Sequence, residues 1–187
     1  DDKTIVRFGL GYAPNDGQAL YQYLRDKGYN QQELDASGLF KRSQSGRIYC
    51  LFWKRVMTPI FDLRGNIIAF GGRVMDDSKP KYVNSPETLV YHKSETVFAM
   101  QIAKRSASRR FVLCEGYMDV ISMQQAGIDT AVCACGTALT PGQVRIISEY
   151  ADEVILSYDS DEAGQKATLR SLELFRNSPV KVGVLQL

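Results

Sequence analysis

Carboxylates follow two apolar runs in the second half of the chain, and their types and spacing suit metal-dependent chemistry. Glu115 directly follows the run FVLC, and Asp119 comes shortly after it. Asp159 and Asp161 follow the run VILSY and are separated by one serine. Close carboxylates repel each other, so such a group is costly unless a cation neutralises it. Oxygen ligands without His or Cys favour Mg²⁺ or Mn²⁺ over zinc, and these ions serve phosphoryl and nucleotidyl transfer.

Each of these acids also has a purely structural interpretation. Asp159 or Asp161 could cap a helix that begins near Glu162, and Glu162 suits the positive end of that helix. One cap does not need three acids on two strands. A metal site therefore explains Glu115, Asp159 and Asp161 together better than capping does.

The elements that must position the acids alternate regularly after residue 109. The predicted strands are 110–115, 130–135, 153–159 and 180–187, and the predicted helices are 117–127, 140–151 and 161–176. This order predicts an α/β fold with a mainly parallel sheet and helices on both faces. Ligands of such sheets bind at the carboxyl ends of the strands, which is where Glu115 and Asp159 fall.

The first 106 residues have a different pattern and predict a smaller α+β subdomain. The predicted elements are helices at 14–27, 30–36 and 94–105 and a β-hairpin over 55–75, with its turn at Arg64-Gly65-Asn66. This part carries a net charge of +5, whereas the remainder carries −3. Such asymmetry hints at nucleic-acid binding. We therefore predict two domains, residues 1–106 and residues 107–187.

The composition is that of an ordinary globular protein. The 187 residues are 44% hydrophobic and 24% charged, with no apolar run of about 18 residues. The opening residues, DDKTIVRFGL, predict no signal peptide. We expect a cytoplasmic protein that does not enter a membrane. Cys133 and Cys135 are separated by one residue, which fits no usual zinc motif, and His92 is the single histidine. Reduced core cysteines and no zinc are therefore expected.

Two long strings resemble a known family. FVLCEGYMDVISMQQAGIDTAVCACGTALT and VILSYDSDEAGQKA resemble the TOPRIM domain of bacterial DNA primases of the DnaG type. The upstream strings LGYAPN, RVMTPIFDLRGNIIAFGGRVM and PKYVNSPET resemble the basic subdomain of the same family. The resemblance implies a TOPRIM-like sheet with flanking helices, preceded by a basic α+β subdomain. It also implies part of the RNA polymerase core of an enzyme that synthesises short RNA primers on single-stranded DNA.

The resemblance also implies functions for individual residues. Glu115, Asp159 and Asp161 match catalytic, metal-binding acids for Mg²⁺ or Mn²⁺, and Asp119 matches an accessory metal ligand. Positions that would grip a nucleoside triphosphate or the template are Arg55, Arg73, Lys81, Tyr82, Asn84 and Lys93. The family's zinc module, its helicase-binding domain and a further acidic motif are not found in these residues. We therefore expect a fragment whose parent meets the replicative helicase through a domain absent here.

Alternatives remain open on the sequence alone. Another TOPRIM enzyme, either a nuclease or a topoisomerase, would carry similar acids, although no nucleophilic tyrosine of a topoisomerase can be identified. A non-catalytic module that binds metal and nucleotide is a second alternative. A phospho-aspartate phosphatase is a weaker one, because Ala163 stands where that class has Thr or Val.

Overall fold

A computed structural model describes residues 1–136 and 138–185, and the chain divides into two compact units. The N-terminal unit comprises residues 2–59 and 68–92, and the C-terminal unit comprises residue 1 with 60–67 and 93–187. The division into domains after residue 106 stays a prediction. Within the described residues, no helix has the length and apolar character needed to cross a membrane.

The N-terminal unit is built on a small sheet. The elements before residue 93 are α1 (Asp2–Phe8), β1 (Gly11–Ala13), α2 (Ala19–Asp26), α3 (Gln31–Ala36), β2 (Phe40–Arg42), β3 (Ile48–Cys50), β4 (Arg55–Phe61), β5 (Ile67–Arg73) and β6 (Tyr82–Asn84). Of these, the ends of β4 and β5 that fall within residues 60–67 belong to the C-terminal unit. The four-stranded sheet has the order β1-β4-β5-β6, and β2 pairs with β3 separately. The mixture of helices and strands agrees with the predicted α+β class.

The predicted β-hairpin is confirmed, with β4 and β5 as neighbours in the sheet. The Asp62 carboxylate holds the turn, because Oδ1 accepts hydrogen bonds from the backbone N–H groups of Arg64 and Asn66 at 2.8 Å. Gly65 has a φ of 95°, a left-handed conformation that glycine adopts without a steric penalty. The turn residues therefore account for the reversal of the chain.

The C-terminal unit contains the predicted α/β sheet. Its elements are the 3₁₀ helix η1 (Lys93–Glu95), β7 (Val97–Phe98), α4 (Met100–Ala103), β8 (Arg110–Cys114), α5 (Tyr117–Gln125), β9 (Ala131–Ala134), α6 (Pro141–Tyr150), β10 (Glu153–Ser157), α7 (Glu162–Phe175) and β11 (Lys181–Val184). The strand order is β11-β10-β8-β9-β7. The first four strands are mutually parallel, and β7 runs antiparallel to β9. A mainly parallel sheet is thus confirmed.

The core of this unit lies between the sheet and its helices. Leu113, Val132 and Leu156 are fully buried on three neighbouring strands, and Ile147 of α6 and Phe175 of α7 belong to the same cluster. Burying one such side chain contributes about 1.5–3 kcal/mol. The core therefore fixes the strand order that brings the carboxyl ends of β8 and β10 side by side.

The helix predicted over residues 94–105 is wrong. The segment instead forms η1, then strand β7, and then a residue in the left-handed conformation, Ala99, with a φ of 62°. Val97 and Phe98 pair with β9 and are buried, so tertiary burial overrides the local preference for helix. Only the four residues of α4 are α-helical in this segment.

Candidate active site

Strand register brings Glu115 and Asp159 together. Cys114, the last residue of β8, lies opposite Ser157, the last residue of β10, so both chains leave the sheet at the same level. Glu115 follows β8 directly, whereas Asp159 lies two residues beyond β10, although the predicted strand included it. The backbone N–H of Asp159 donates to Glu115 Oε2 at 3.3 Å. The two acids thus adjoin at the carboxyl edge of the sheet.

Asp161 is the cap of helix α7. Its Oδ1 accepts a hydrogen bond from the backbone N–H of Gly164 at 2.8 Å. Glu162 occupies the first turn of the helix, as expected, and pairs with Lys166. The capping interpretation therefore applies to Asp161, while its second carboxylate oxygen makes no hydrogen bond within the described part of the chain.

Asp119 supports the turn that follows Glu115. Its Oδ2 accepts a hydrogen bond from the backbone N–H of Gly116 at 3.0 Å, in the first turn of α5. The negative charge near β8 also affects a neighbouring thiol. Burial and, to a smaller extent, Asp119 raise the pKa of Cys114 to about 12. This cysteine therefore stays protonated and chemically inert at neutral pH.

The acidic cluster, defined as Glu115, Asp119, Asp159 and Asp161, carries uncompensated negative charge. All four side chains are exposed. Among residues 1–136 and 138–185, none of them forms an ion pair with Lys or Arg. Within the same residues, the Asp159 carboxylate accepts no hydrogen bond. A surface with this charge pattern attracts cations.

The donor set fits a hard divalent cation that is only partly enclosed by protein. No three His, Cys, Asp or Glu side chains of the described residues already surround a point suited to a metal ion. Mg²⁺ is usually held by one or two carboxylates, and it keeps waters and substrate phosphates in its remaining positions. Glu115 and Asp159, which follow two adjacent strands, would supply such a pair of carboxylates.

Lys93 lies at the same edge of the sheet as the acids. Because β7 is antiparallel to β9, its first residue Val97 lies opposite Ala134, the last residue of β9. The 3₁₀ helix that contains Lys93 precedes β7 and is separated from it by Thr96 alone. The strand that the sequence failed to predict is therefore what brings this predicted phosphate-binding lysine to the carboxyl edge.

The sequence also failed to identify Gln143 as a residue that fixes this lysine turn. Gln143 is fully buried, and its Nε2 donates to the carbonyl oxygens of Lys93 at 2.8 Å and Thr96 at 2.9 Å. Its Oε1 accepts from the backbone N–H of Thr140 at 3.0 Å, which completes a capping box. The T-x-x-Q spacing signals the capping box, but nothing local signals the contacts to a distant turn.

Four of the six predicted nucleotide- or nucleic-acid-binding residues lie on or next to β5 and β6 in the N-terminal unit. Arg73 is opposite Tyr82 in the ladder, and its guanidinium carbon lies 5.8 Å from the centre of the tyrosine ring. Asn84 is opposite Gly71, and Lys81 is exposed directly before β6. These residues combine positive charge with an exposed aromatic ring.

Arg55, the remaining predicted contact in that unit, is buried rather than exposed. Only 4% of its surface is accessible. Its guanidinium donates to the carbonyl oxygens of Pro80 at 2.8 Å and Lys81 at 3.3 Å. In this geometry Arg55 supports the segment that presents Lys81 and Tyr82.

The sequence of this chain matches two known protein families, which together define its class. Residues 112–187 match the family described as Toprim-like, and residues 1–104 match the family described as DNA primase catalytic core, N-terminal domain. The DNA primase of Clostridium acetobutylicum is 42% identical over 188 residues, which cover 100% of this chain and 31% of that protein. The chain belongs to the DNA primase family and contains part of its catalytic core.

Solved structures give the same result. The Aquifex aeolicus primase, with its zinc-binding and RNA polymerase domains, has a TM-score of 0.91 at 35% identity, over 100% of this chain and 47% of that one. A DnaG primase catalytic domain bound to ssDNA has a TM-score of 0.89 at 34% identity, over 100% and 62%. The chain spans about a third of the length of the curated relatives it matches. The topoisomerase and nuclease alternatives are not favoured.

Proposed function

We propose that this chain is the part of a primase catalytic core that holds the metal and grips the template. Its parent would synthesise short RNA primers on single-stranded DNA from nucleoside triphosphates. The observation that carries this proposal is the pair Glu115 and Asp159, which adjoin just beyond the ends of adjacent parallel strands. Among the described residues, no Lys or Arg side chain forms an ion pair with either acid. Membership of the DNA primase family supports the choice of reaction.

Within this proposal, the acids at the sheet edge bind Mg²⁺ or Mn²⁺. Glu115 and Asp159 are the principal ligands, Asp161 contributes the oxygen that capping leaves available, and Asp119 fixes the turn after Glu115. The bound ion would activate the attacking 3′-hydroxyl and stabilise the leaving pyrophosphate. Lys93 attracts the triphosphate to the same edge, since its turn precedes β7 there.

The N-terminal unit would hold the template strand. Lys81 and Arg73 offer positive charge to the phosphates, and Tyr82 offers a ring on which a base can stack. Asn84 adds a hydrogen-bonding group on the same strand as Tyr82. The buried Arg55 fixes the segment before β6 through its hydrogen bonds to the carbonyl oxygens of Pro80 and Lys81. A similar catalytic domain has been solved with ssDNA, which supports this class of ligand. Contact with a replicative helicase stays a prediction for the parent protein.

Primer synthesis by the full-length parent tests the proposal. We expect Glu115→Gln to lower the rate by about 100-fold or more, the usual cost of removing a group that stabilises transition-state charge. Glu149→Gln is the matched control, because Glu149 is an exposed acid near the far end of α6. Activity of Glu115→Gln within twofold of the control would refute the assignment of the acidic cluster.

A further inference from the structure

Gly164 lies in the first turn of α7 and packs directly against the backbone of Asp159. A methyl group at Gly164 would lie 1.9 Å from the carbonyl oxygen of Asp159 and 2.8 Å from its carbonyl carbon. Both distances are far below van der Waals contact, and the obstructing atoms belong to backbone that cannot rotate away. Any side chain at this position must therefore displace Asp159 or the helix.

The same glycine is linked to two other acids of the cluster. Its backbone N–H donates to Asp161 Oδ1 at 2.8 Å, and the Asp159 backbone that it contacts donates to Glu115 Oε2 at 3.3 Å. The reason for glycine here is space and not backbone conformation, because its φ is outside the left-handed region. One residue without a side chain thus lets the first turn of α7 lie against the backbone of Asp159, which in turn contacts Glu115.

We propose that Gly164 is a positioning residue for the metal-binding carboxylates. It allows α7 to approach so closely that Asp159 is held beside Glu115 and Asp161 is held at the helix terminus. The inference rests on the proposed function, since it concerns how the same metal site is built. Helix propensity alone would favour alanine at this position, because replacing glycine by alanine in a helix usually stabilises the helix. The close contact with Asp159 is what makes alanine unfavourable here.

Mn²⁺ binding to this chain, measured by calorimetry or by the electron paramagnetic resonance of free Mn²⁺, tests the inference. We expect Gly164→Ala to weaken Mn²⁺ binding by about 10- to 100-fold, the range typical of changes that disturb ligand orientation. Phe175→Leu is the control for damage to α7, because it removes buried contacts at the far end of that helix. Gly17→Ala is the control for the exchange itself, since no atom of the described residues lies within 4 Å of its added methyl group. Both controls should bind Mn²⁺ like the wild type.

The outcomes separate this inference from the proposed function. If the wild type binds Mn²⁺, Asp159→Asn does not, and Gly164→Ala binds as well as the wild type, the positioning role is overturned while the site stands. If the wild type itself binds no Mn²⁺, the proposed metal site fails, and the inference fails with it.

A measurement on the wild type covers the case in which Gly164→Ala does not fold. We expect Mg²⁺ to shift the amide NMR signals of Gly164 and Asp159 with one common dissociation constant, because the two backbones are in contact. A shift at Asp159 without a shift at Gly164 would contradict the coupling. No second variant is required for this test.

Discussion

Replacing Gln143 by methionine tests how the fold holds Lys93 at the carboxyl edge. The methionine side chain is apolar and similar in length to that of glutamine, so the change removes hydrogen bonds without leaving a large cavity. Among the described residues, the side chain of Gln143 makes three hydrogen bonds, to Lys93, Thr96 and Thr140. At about 1 kcal/mol net for each bond, the free energy of unfolding should fall by about 3 kcal/mol. The melting temperature should fall by roughly 6–12 °C for a chain of this size.

Urea unfolding followed by far-ultraviolet circular dichroism measures the loss. The single tryptophan, Trp53, lies in the N-terminal unit, so its fluorescence would not report on Gln143 directly. Gln22→Met is the matched control, because within the part of the chain that the structure describes the Gln22 side-chain amide bonds only to Asp26, at an exposed position. This substitution should cost less than about 0.5 kcal/mol. A loss below about 1 kcal/mol for Gln143→Met would refute the structural function assigned to these three bonds.

Three further predictions concern the acids, the template surface and the core. Arg55→Met should loosen the segment carrying Lys81 and weaken single-stranded DNA binding in a fluorescence-anisotropy titration; unchanged affinity would contradict a supporting function. Asp161→Ser should keep the cap of α7 while Asp161→Ala loses about 1 kcal/mol, yet both should weaken Mn²⁺ binding; full Mn²⁺ affinity in the serine variant would make Asp161 a cap alone. Burial raises the pKa of Cys114 from 9.0 to about 12, so the folded protein favours the neutral thiol. The stability that this thiol contributes is complete below pH 9 and is lost as the pH rises toward 12. Between pH 9 and pH 12, the free energy of unfolding should fall less steeply with pH in Cys114→Ala than in the wild type. The same pH dependence in both proteins would contradict the raised pKa of Cys114.

The fold of the C-terminal unit was largely predictable, because its signals are local and repeated. Apolar runs without alternation indicate parallel strands that are buried on both faces, and Thr140 with Pro141 marks a helix start that the structure shows. The convergence of Glu115 and Asp159 needed one more fact, namely that β8 and β10 are neighbours. The strand order follows from the packed core, which no single window of sequence reveals.

The unpredicted features depend on contacts between distant residues. Strand β7 contains only Val97 and Phe98, which is too short for periodicity to detect and is stabilised by pairing with β9. Arg55 is indistinguishable in sequence from a surface arginine until the carbonyl groups of the segment before β6 surround it. Gly164 appears in the sequence as a weak helix former, and only the nearby Asp159 backbone shows why a side chain is excluded.

The central claim is that the acids at the sheet edge bind a divalent cation, and Mn²⁺ titration of two aspartate variants tests it most directly. Asp159 and Asp152 flank the same strand, β10, at its two ends, and Asp152 pairs with Arg109 at 2.9 Å away from the carboxyl edge. Asp159→Asn should abolish Mn²⁺ binding at this site, whereas Asp152→Asn should bind Mn²⁺ like the wild type. Equal Mn²⁺ affinity in Asp159→Asn and the wild type would contradict the claim.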